Sequence, residues 1–106
     1  MAKYLIKATY TQEGAQGLTK EGGSGRRNAI EKLASGMGGK MESFYFGFGE
    51  VDAYVIVDMP DNATAAAVAL QVNSAGGAKV ETVPLLTPEE IDQATQKDVP
   101  YRAPGA

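Results

Sequence analysis

The sequence predicts an α+β fold of element order β-α-β-β-α-β, with one antiparallel four-stranded sheet and an extra C-terminal helix. Three observations predict it. Strand-like alternation opens the chain at Lys3 to Tyr10, two aromatic-rich strands flank Gly49-Glu50 near its middle, and two helical stretches join these strands to their neighbours. The chain has 106 residues, the length of one ordinary domain, and residues 1–106 read as a single unit.

Lys3 to Tyr10 is rich in Tyr, Ile and Thr and alternates in polarity, which predicts the first strand. Tyr4, Ile6, Ala8 and Tyr10 share one face; Lys3, Leu5, Lys7 and Thr9 share the other. Thr11-Gln12-Glu13 predicts a capped short helix through about Thr19. Gly22-Gly23-Ser24-Gly25 then breaks the chain, and Ser24 is placed to cap a second helix carrying Ala29, Ile30, Leu33, Ala34 and Met37 at helical spacing. Gly38-Gly39 stops that helix.

Met41 to Phe48 and Val51 to Asp58 read as a hairpin around Gly49-Glu50, where glycine in first place suits a type II′ turn. That turn sets Phe48 opposite Val51, Phe46 opposite Ala53, Phe44 opposite Val55 and Glu42 opposite Val57. On the other face Gly47 meets Asp52, Tyr45 meets Tyr54 and Ser43 meets Ile56. Asp61 after Pro60 predicts the cap of an Ala-rich helix from Ala63 to Val72, ended by Gly76-Gly77. Lys79 to Leu86 is the fourth strand. Pro84 cannot donate a ladder hydrogen bond, which predicts a sheet edge. Thr87-Pro88-Glu89-Glu90 has the form of a capping box with proline at the first helical position. Residues from about 98 to 106, with two prolines and a glycine, predict an extended tail.

This order is the split βαβ, ferredoxin-like pattern, in which the first and third strands are central. Two helices cover one face of such a sheet. The face with Phe44, Phe46, Phe48, Val55, Tyr4, Ile6 and Ala8 is the more apolar and is assigned to them. The other face carries Leu5, Lys7, Thr9, Tyr45, Tyr54 and Ile56. It is too apolar to stay wet, which predicts that a second copy of the chain covers it as a homodimer or higher homo-oligomer. A domain this small also gains from association.

Composition narrows the chemistry. Hydrophobic residues at 43% and charged residues at 22% fit a globular chain rather than a disordered one. A net charge of −3 argues against a nucleic-acid binder, which needs a basic face. The chain holds neither cysteine nor histidine, which excludes disulfides, thiol catalysis, Ser-His pairs and the commonest metal and haem ligands. No cofactor and no metal ion are expected. Met1-Ala2-Lys3-Tyr4 runs straight into a strand pattern without a long apolar stretch, which predicts a cytoplasmic protein with no membrane partner.

The chain resembles the GYD-domain family of small bacterial proteins. The resemblance runs from Lys3-Tyr4-Leu5-Ile6 through Glu21-Gly22-Gly23 and Arg26 to Phe44-Tyr45-Phe46-Gly47-Phe48-Gly49-Glu50. It continues through Asp52, Pro60-Asp61-Asn62 and Val83-Pro84-Leu85-Leu86-Thr87-Pro88-Glu89-Glu90. It implies membership of the dimeric α/β-barrel group, in which two ferredoxin-like sheets close into one barrel with a cavity between or beside them. A tyrosine commonly precedes the aspartate of the family hairpin; Val51 holds that place here, so no role of that hydroxyl carries over. Relatives in the wider group include cofactor-independent oxygenases, isomerases, haem proteins and stress-response proteins, so the resemblance selects no single chemistry.

The candidate ligand-binding residues are Lys7, Tyr45, Asp52, Tyr54 and Arg26. Lys7 lies beside the strand carrying Asp52 and Tyr54, and a lysine near phenols and a carboxylate can hold an acidic or carbonyl ligand. Arg26 follows Glu21-Gly22-Gly23-Ser24-Gly25, where an anion could meet backbone N–H groups, or it could pair with Glu21 or Asp52. Glu50 with Asp52 forms a possible carboxylate pair, although solvated charges are normal at a turn tip. Helix capping explains Asp61 and Asn62 better than a calcium loop does, and Met37, Met41 and Met59 read as core filling. The reading these features favour is small-molecule binding in the barrel cavity. A noncatalytic structural or regulatory module and a cofactor-free monooxygenase or isomerase-like enzyme are the alternatives.

Overall fold

The structure, a computed structural model, describes residues 1–106. Its elements are β1 (Ala2–Tyr10), α1 (Gln12–Gly36), β2 (Lys40–Phe46), β3 (Ala53–Met59), α2 (Asn62–Ala75), β4 (Ala78–Leu85) and α3 (Pro88–Thr95). The strands form one four-stranded sheet in the order β2-β3-β1-β4, with every neighbouring pair antiparallel. This is the ferredoxin-like α+β arrangement with an added C-terminal helix. Pro84 lies on the β4 edge opposite Tyr4, where its missing N–H breaks no bond between inner strands.

Pairing of β1 with β3 sets Tyr4 against Val57, Ile6 against Val55 and Ala8 against Ala53. Side chains alternate along a strand, so all six face the same way, toward α1 and α2. Tyr4, Val55, Val57 and Met59 join Ala34 of α1 and Ala65 and Val68 of α2 in the buried core, with Ile30, Met41 and Phe44 packed around them. The small side chains of Ala34 and Ala65 bring both helices close to the sheet. The Tyr4 hydroxyl donates to Asn62 Oδ1, so the polar tip of this buried ring is satisfied.

Helix ends follow their capping chemistry. Thr11 accepts from the Gly14 N–H, Asp61 from the Thr64 N–H, and Thr87 with Glu90 completes a capping box. Two bonds from Thr64, one from its hydroxyl and one from its N–H, hold the Asp61 carboxyl below its ordinary 3.8. Gly38, at φ 79°, closes α1: the Gly39 N–H reaches the Ala34 carbonyl at 2.9 Å and the Gly38 N–H the Ser35 carbonyl at 3.1 Å.

Three expectations are corrected. The break in α1 is a single kink at Gly22 (φ 80°, ψ 164°), not a capped restart; Ser24 lies inside the resumed helix. One glycine at positive φ is enough to redirect the axis. The following residue then meets the sheet, and a Cβ on Gly23 would stand 3.2 Å from the Phe46 ring.

The hairpin is the second correction. A type II′ turn needs Gly49 at positive φ, and Gly49 is not among the glycines that adopt it. The strands end at Phe46 and Ala53, and residues 47–52 form a wider loop. The pairs Phe46–Ala53, Tyr45–Tyr54, Phe44–Val55 and Ser43–Ile56 stand as expected. Past them the loop bonds to β1: the Asp52 N–H to the Ala8 carbonyl at 2.9 Å, the Thr9 hydroxyl to the Glu50 carbonyl at 3.2 Å. Those bonds replace the tight turn, and Phe48 leaves the helix-covered face for full exposure.

Third, a bulge between Met41 and Ser43 sets Met41, not Glu42, opposite Val57. Glu42 instead joins Lys3 and Asp58 on the helix-free face, and those two carboxylates raise the Lys3 pKa above 10.5. Met41 and Met59 fill core space as expected, while Met37 stays partly exposed at the α1 end.

Replacing Met59 with alanine removes a fully buried side chain and costs about 2–5 kcal/mol of unfolding free energy, read from urea midpoints. Phe48→Ser, on an exposed loop, changes stability by no more than about 0.5 kcal/mol. Equal losses in the two variants would contradict the placement of Phe48.

Candidate functional site

The helices do not close completely over the sheet. Between them lies an apolar cavity of about 50 Å³, lined by residues that include Ile6, Ile30, Val55, Val68 and Val80. Near the end of β1 it meets an open groove of about 360 Å³ bordered by Gly17, Glu21, Gln71 and Gly77. Tyr10, Arg26, Val72 and Ala78 belong to both, so cavity and groove form one cleft with a polar mouth.

The sequence builds this mouth by keeping its walls thin. The first turn of α1 is pinned to the α2–β4 turn: the Thr11 N–H donates to the Gly77 carbonyl at 3.1 Å, and the Thr11 hydroxyl to the Gly76 carbonyl at 2.8 Å. Approach is so close that a Cβ on Gly14 would lie 1.7 Å from the Gly77 oxygen. The kink at Gly22 then swings the second half of α1 back onto the sheet. The intervening stretch, with Gly17, Leu18 and Glu21, bridges the groove.

Tyr10 and Arg26 set the electrostatics. Burial pushes the Tyr10 phenol above its ordinary 10.0; the Arg26 guanidinium draws it back, and the Asp52 and Glu21 charges add to the rise. The phenol is therefore neutral near pH 7, able to donate and accept. The molecule's ion pairs are Lys3 with Glu42 and Asp58, and Lys7 with Glu81; Arg26 is in none of them, so its charge is uncommitted. An uncommitted guanidinium beside a neutral phenol at the edge of an apolar cavity suits a small acidic molecule with an apolar end.

The five candidate residues divide among three places. Lys7, Tyr45 and Tyr54 stand in one row on the helix-free face, with Tyr45 opposite Tyr54 and Tyr54 opposite Lys7. The row ends at Glu81, which takes Lys7 as its ion-pair partner at 3.7 Å. Asp52 does not join that row. Its carboxylate accepts the Tyr10 backbone N–H at 2.9 Å at the rim of the sheet. Arg26 faces the cleft, while neighbouring Arg27 is exposed outside it. Neither Glu21 nor Asp52 forms an ion pair with Arg26. Glu50 lines a shallow groove with Lys7, Lys79 and Glu81, apart from the Asp52 carboxylate. No group of three acidic side chains is gathered to hold a metal ion. Tyr10 is the residue that sequence reasoning missed. The available signal was its position as the polar-tipped last member of the Tyr4, Ile6, Ala8 face, where the sheet runs out from under the helices.

Fold and cleft together define a ferredoxin-like α+β protein with a ligand-sized opening between its sheet and helices. The family model of the GYD domain matches residues 4–95, and the chain belongs to that family. No curated protein and no solved structure matches the chain. No helix is long and apolar enough to cross a membrane.

Carbon-labelled tyrosine rings followed by NMR through an alkaline titration test the mouth. Tyr10 titrates above 10.0, and Arg26→Ala moves it further up because the opposing charge is gone. The sign carries into stability. With a raised folded-state pKa, Tyr10 costs the fold stability as pH climbs from 10.0 through that value, and Tyr10→Phe removes this share of the alkaline loss, leaving that of Lys3. A Tyr10 titration at or below 10.0 would contradict the geometry.

Proposed function

We propose that the protein binds a small, mainly apolar molecule with an acidic head group, and that it does so as a homo-oligomer. The observation that carries the first half is the cleft. Its inner cavity of about 50 Å³ admits a methyl or short branch but no ring. The groove, about 360 Å³, lies at the lower end of the range for small-molecule sites and takes the rest of the ligand. Arg26 supplies charge for a carboxylate or phenolate, and Tyr10 a hydrogen bond. This site lies on the opposite side of the sheet from the row of Lys7, Tyr45 and Tyr54.

The second half rests on the helix-free face. Ser43, Ile56, Leu5 and Val83 form a largely apolar row across all four strands, beside the row of Tyr45, Tyr54, Lys7 and Glu81. No helix covers it, and twofold pairing with a second copy would bury both rows at once. Lys7, Tyr45 and Tyr54 would then line the inside of a barrel, which is the second place a ligand could occupy.

Hexanoate and benzoate, added separately to isotope-labelled protein, distinguish the two places by NMR. Shifts at Tyr10, Arg26, Val72 and Ala78 that vanish in Arg26→Ala support the cleft. Shifts confined to Lys7, Tyr45 and Tyr54 would move the site to the barrel interior, and no saturable shift with either probe would refute the binding reading. Light scattering at micromolar concentration reads the assembly, and a strict monomer would end the oligomer half.

A further inference from the structure

α3 is well made at its start and unsupported everywhere else. Its capping box is complete, yet none of its residues is buried. Isolated helices shorter than about 12–15 residues are marginal in water, so eight residues need a surface to lie on. Their own domain buries none of them. The whole chain has a radius of gyration of 16.8 Å, against about 13 Å for a compact domain of this length. The segment is also apolar where it should dock. Leu86, just before the Thr87 cap, and Ile91, in the fourth helical position, occupy the two places of a hydrophobic staple, which sets the angle at which the chain enters the helix. Both remain open, Leu86 at 61% and Ile91 at 47%, and the tail adds Val99 at 70% and Tyr101 at 74%.

Charge selects the partner. α3 carries Glu89, Glu90 and Asp92 and no basic residue. On the helix-free face Lys40, opposite Asp58, and Lys79, opposite Thr9, are in no ion pair. They flank the apolar row of Leu5, Ile56 and Val83 from the two ends of the strands. That face is an apolar surface that the domain's own helices leave uncovered.

We infer that α3 is an exchanged arm: each copy's α3 lies against the rim of a second copy's helix-free sheet face, with Leu86 and Ile91 as its apolar contact and Glu89 and Asp92 turned toward the free lysines of that rim. This inference rests on the homo-oligomer reading. Exchange explains why a helix with a complete start signal buries none of its residues against its own domain. Reciprocal arms also enlarge the interface without enlarging the sheet, since each arm adds surface from a segment the monomer leaves unused.

The absence of cysteine makes the test direct. A spin label on Thr95→Cys of the full chain, mixed with isotope-labelled unmodified chains, broadens Leu5, Ile56 and Val83 in the unmodified copies. In a second measurement, the full chain carrying Leu86→Ser with Ile91→Asp keeps its fold, because neither residue is buried, and its dimer dissociation constant rises about tenfold or more. A dimer unaffected by that double variant, without broadening between copies, overturns the arm and leaves the sheet-face reading standing. In the converse mixture, an isotope-labelled Thr95→Cys chain carrying the spin label among unlabelled chains, broadening of its own Leu5, Ile56 and Val83 with none between copies overturns exchange in favour of a helix folding back on itself. A monomeric full-length chain at micromolar concentration overturns both readings.

Discussion

Antiparallel pairing of β1 with β3 is the constraint on which the rest of the molecule depends. By setting Tyr4 against Val57 and Ala8 against Ala53, it commits every second residue of the two central strands to the helices. A shift of one residue would exchange Tyr4, Ile6 and Ala8 for Lys3, Leu5 and Lys7, burying two lysines under the helices. The penalty for that exchange is what makes the register unique. It also leaves Leu5, Ile56 and Val83 outside, on a surface that two helices cannot reach.

The cleft follows from the same pairing. Toward the Tyr4 end the core is dense, with Met59, Val57 and Ala34 almost wholly buried. Toward the Tyr10 end the covering residues shrink to Gly14, Gly17 and Gly77, and the chain spends hydrogen bonds from Thr11 on pinning a helix start rather than filling space. Asp52 stiffens the rim by taking the Tyr10 N–H, which fixes the backbone carrying the phenol. A dense end and a hollow end on one core are what separate a scaffold from a site. Glycines at the hollow end serve close approach and a kink, and both keep the opening wide.

Most of the fold was legible because its signals are local. Thr87, Pro88 and Glu90 specify a helix start within four residues, and Pro84 names an edge strand by chemistry alone. The hairpin was misread where the decision is not local. Gly49 in first place suits a tight turn, but the bonds that won run from the loop to Ala8 and Thr9, some forty residues earlier. The same holds for Gly22 to Gly25: composition shows that the helix is weak there, but nothing local selects Gly22 for the kink, and the Phe46 ring that leaves no room for a side chain on Gly23 comes from a distant strand. At the site, alternation correctly grouped Lys7, Tyr45 and Tyr54 on one face, but could not show that a helix brings Arg26 and a loop brings Asp52 to Tyr10. By alternation Tyr10 is one more member of the core face, but it stands at the cleft mouth, where the helices leave the sheet open.

In the proposed homo-oligomer the sheet has two fates, one face closed by the chain's own helices and the other by a second copy. Methyl accessibility to a soluble paramagnetic chelate, followed by NMR over a dilution series, measures it most directly. In that oligomer Ile30 and Val57 stay shielded at every concentration, while Leu5, Ile56 and Val83 are shielded when concentrated and become accessible on dilution. Leu5, Ile56 and Val83 fully accessible throughout would contradict it.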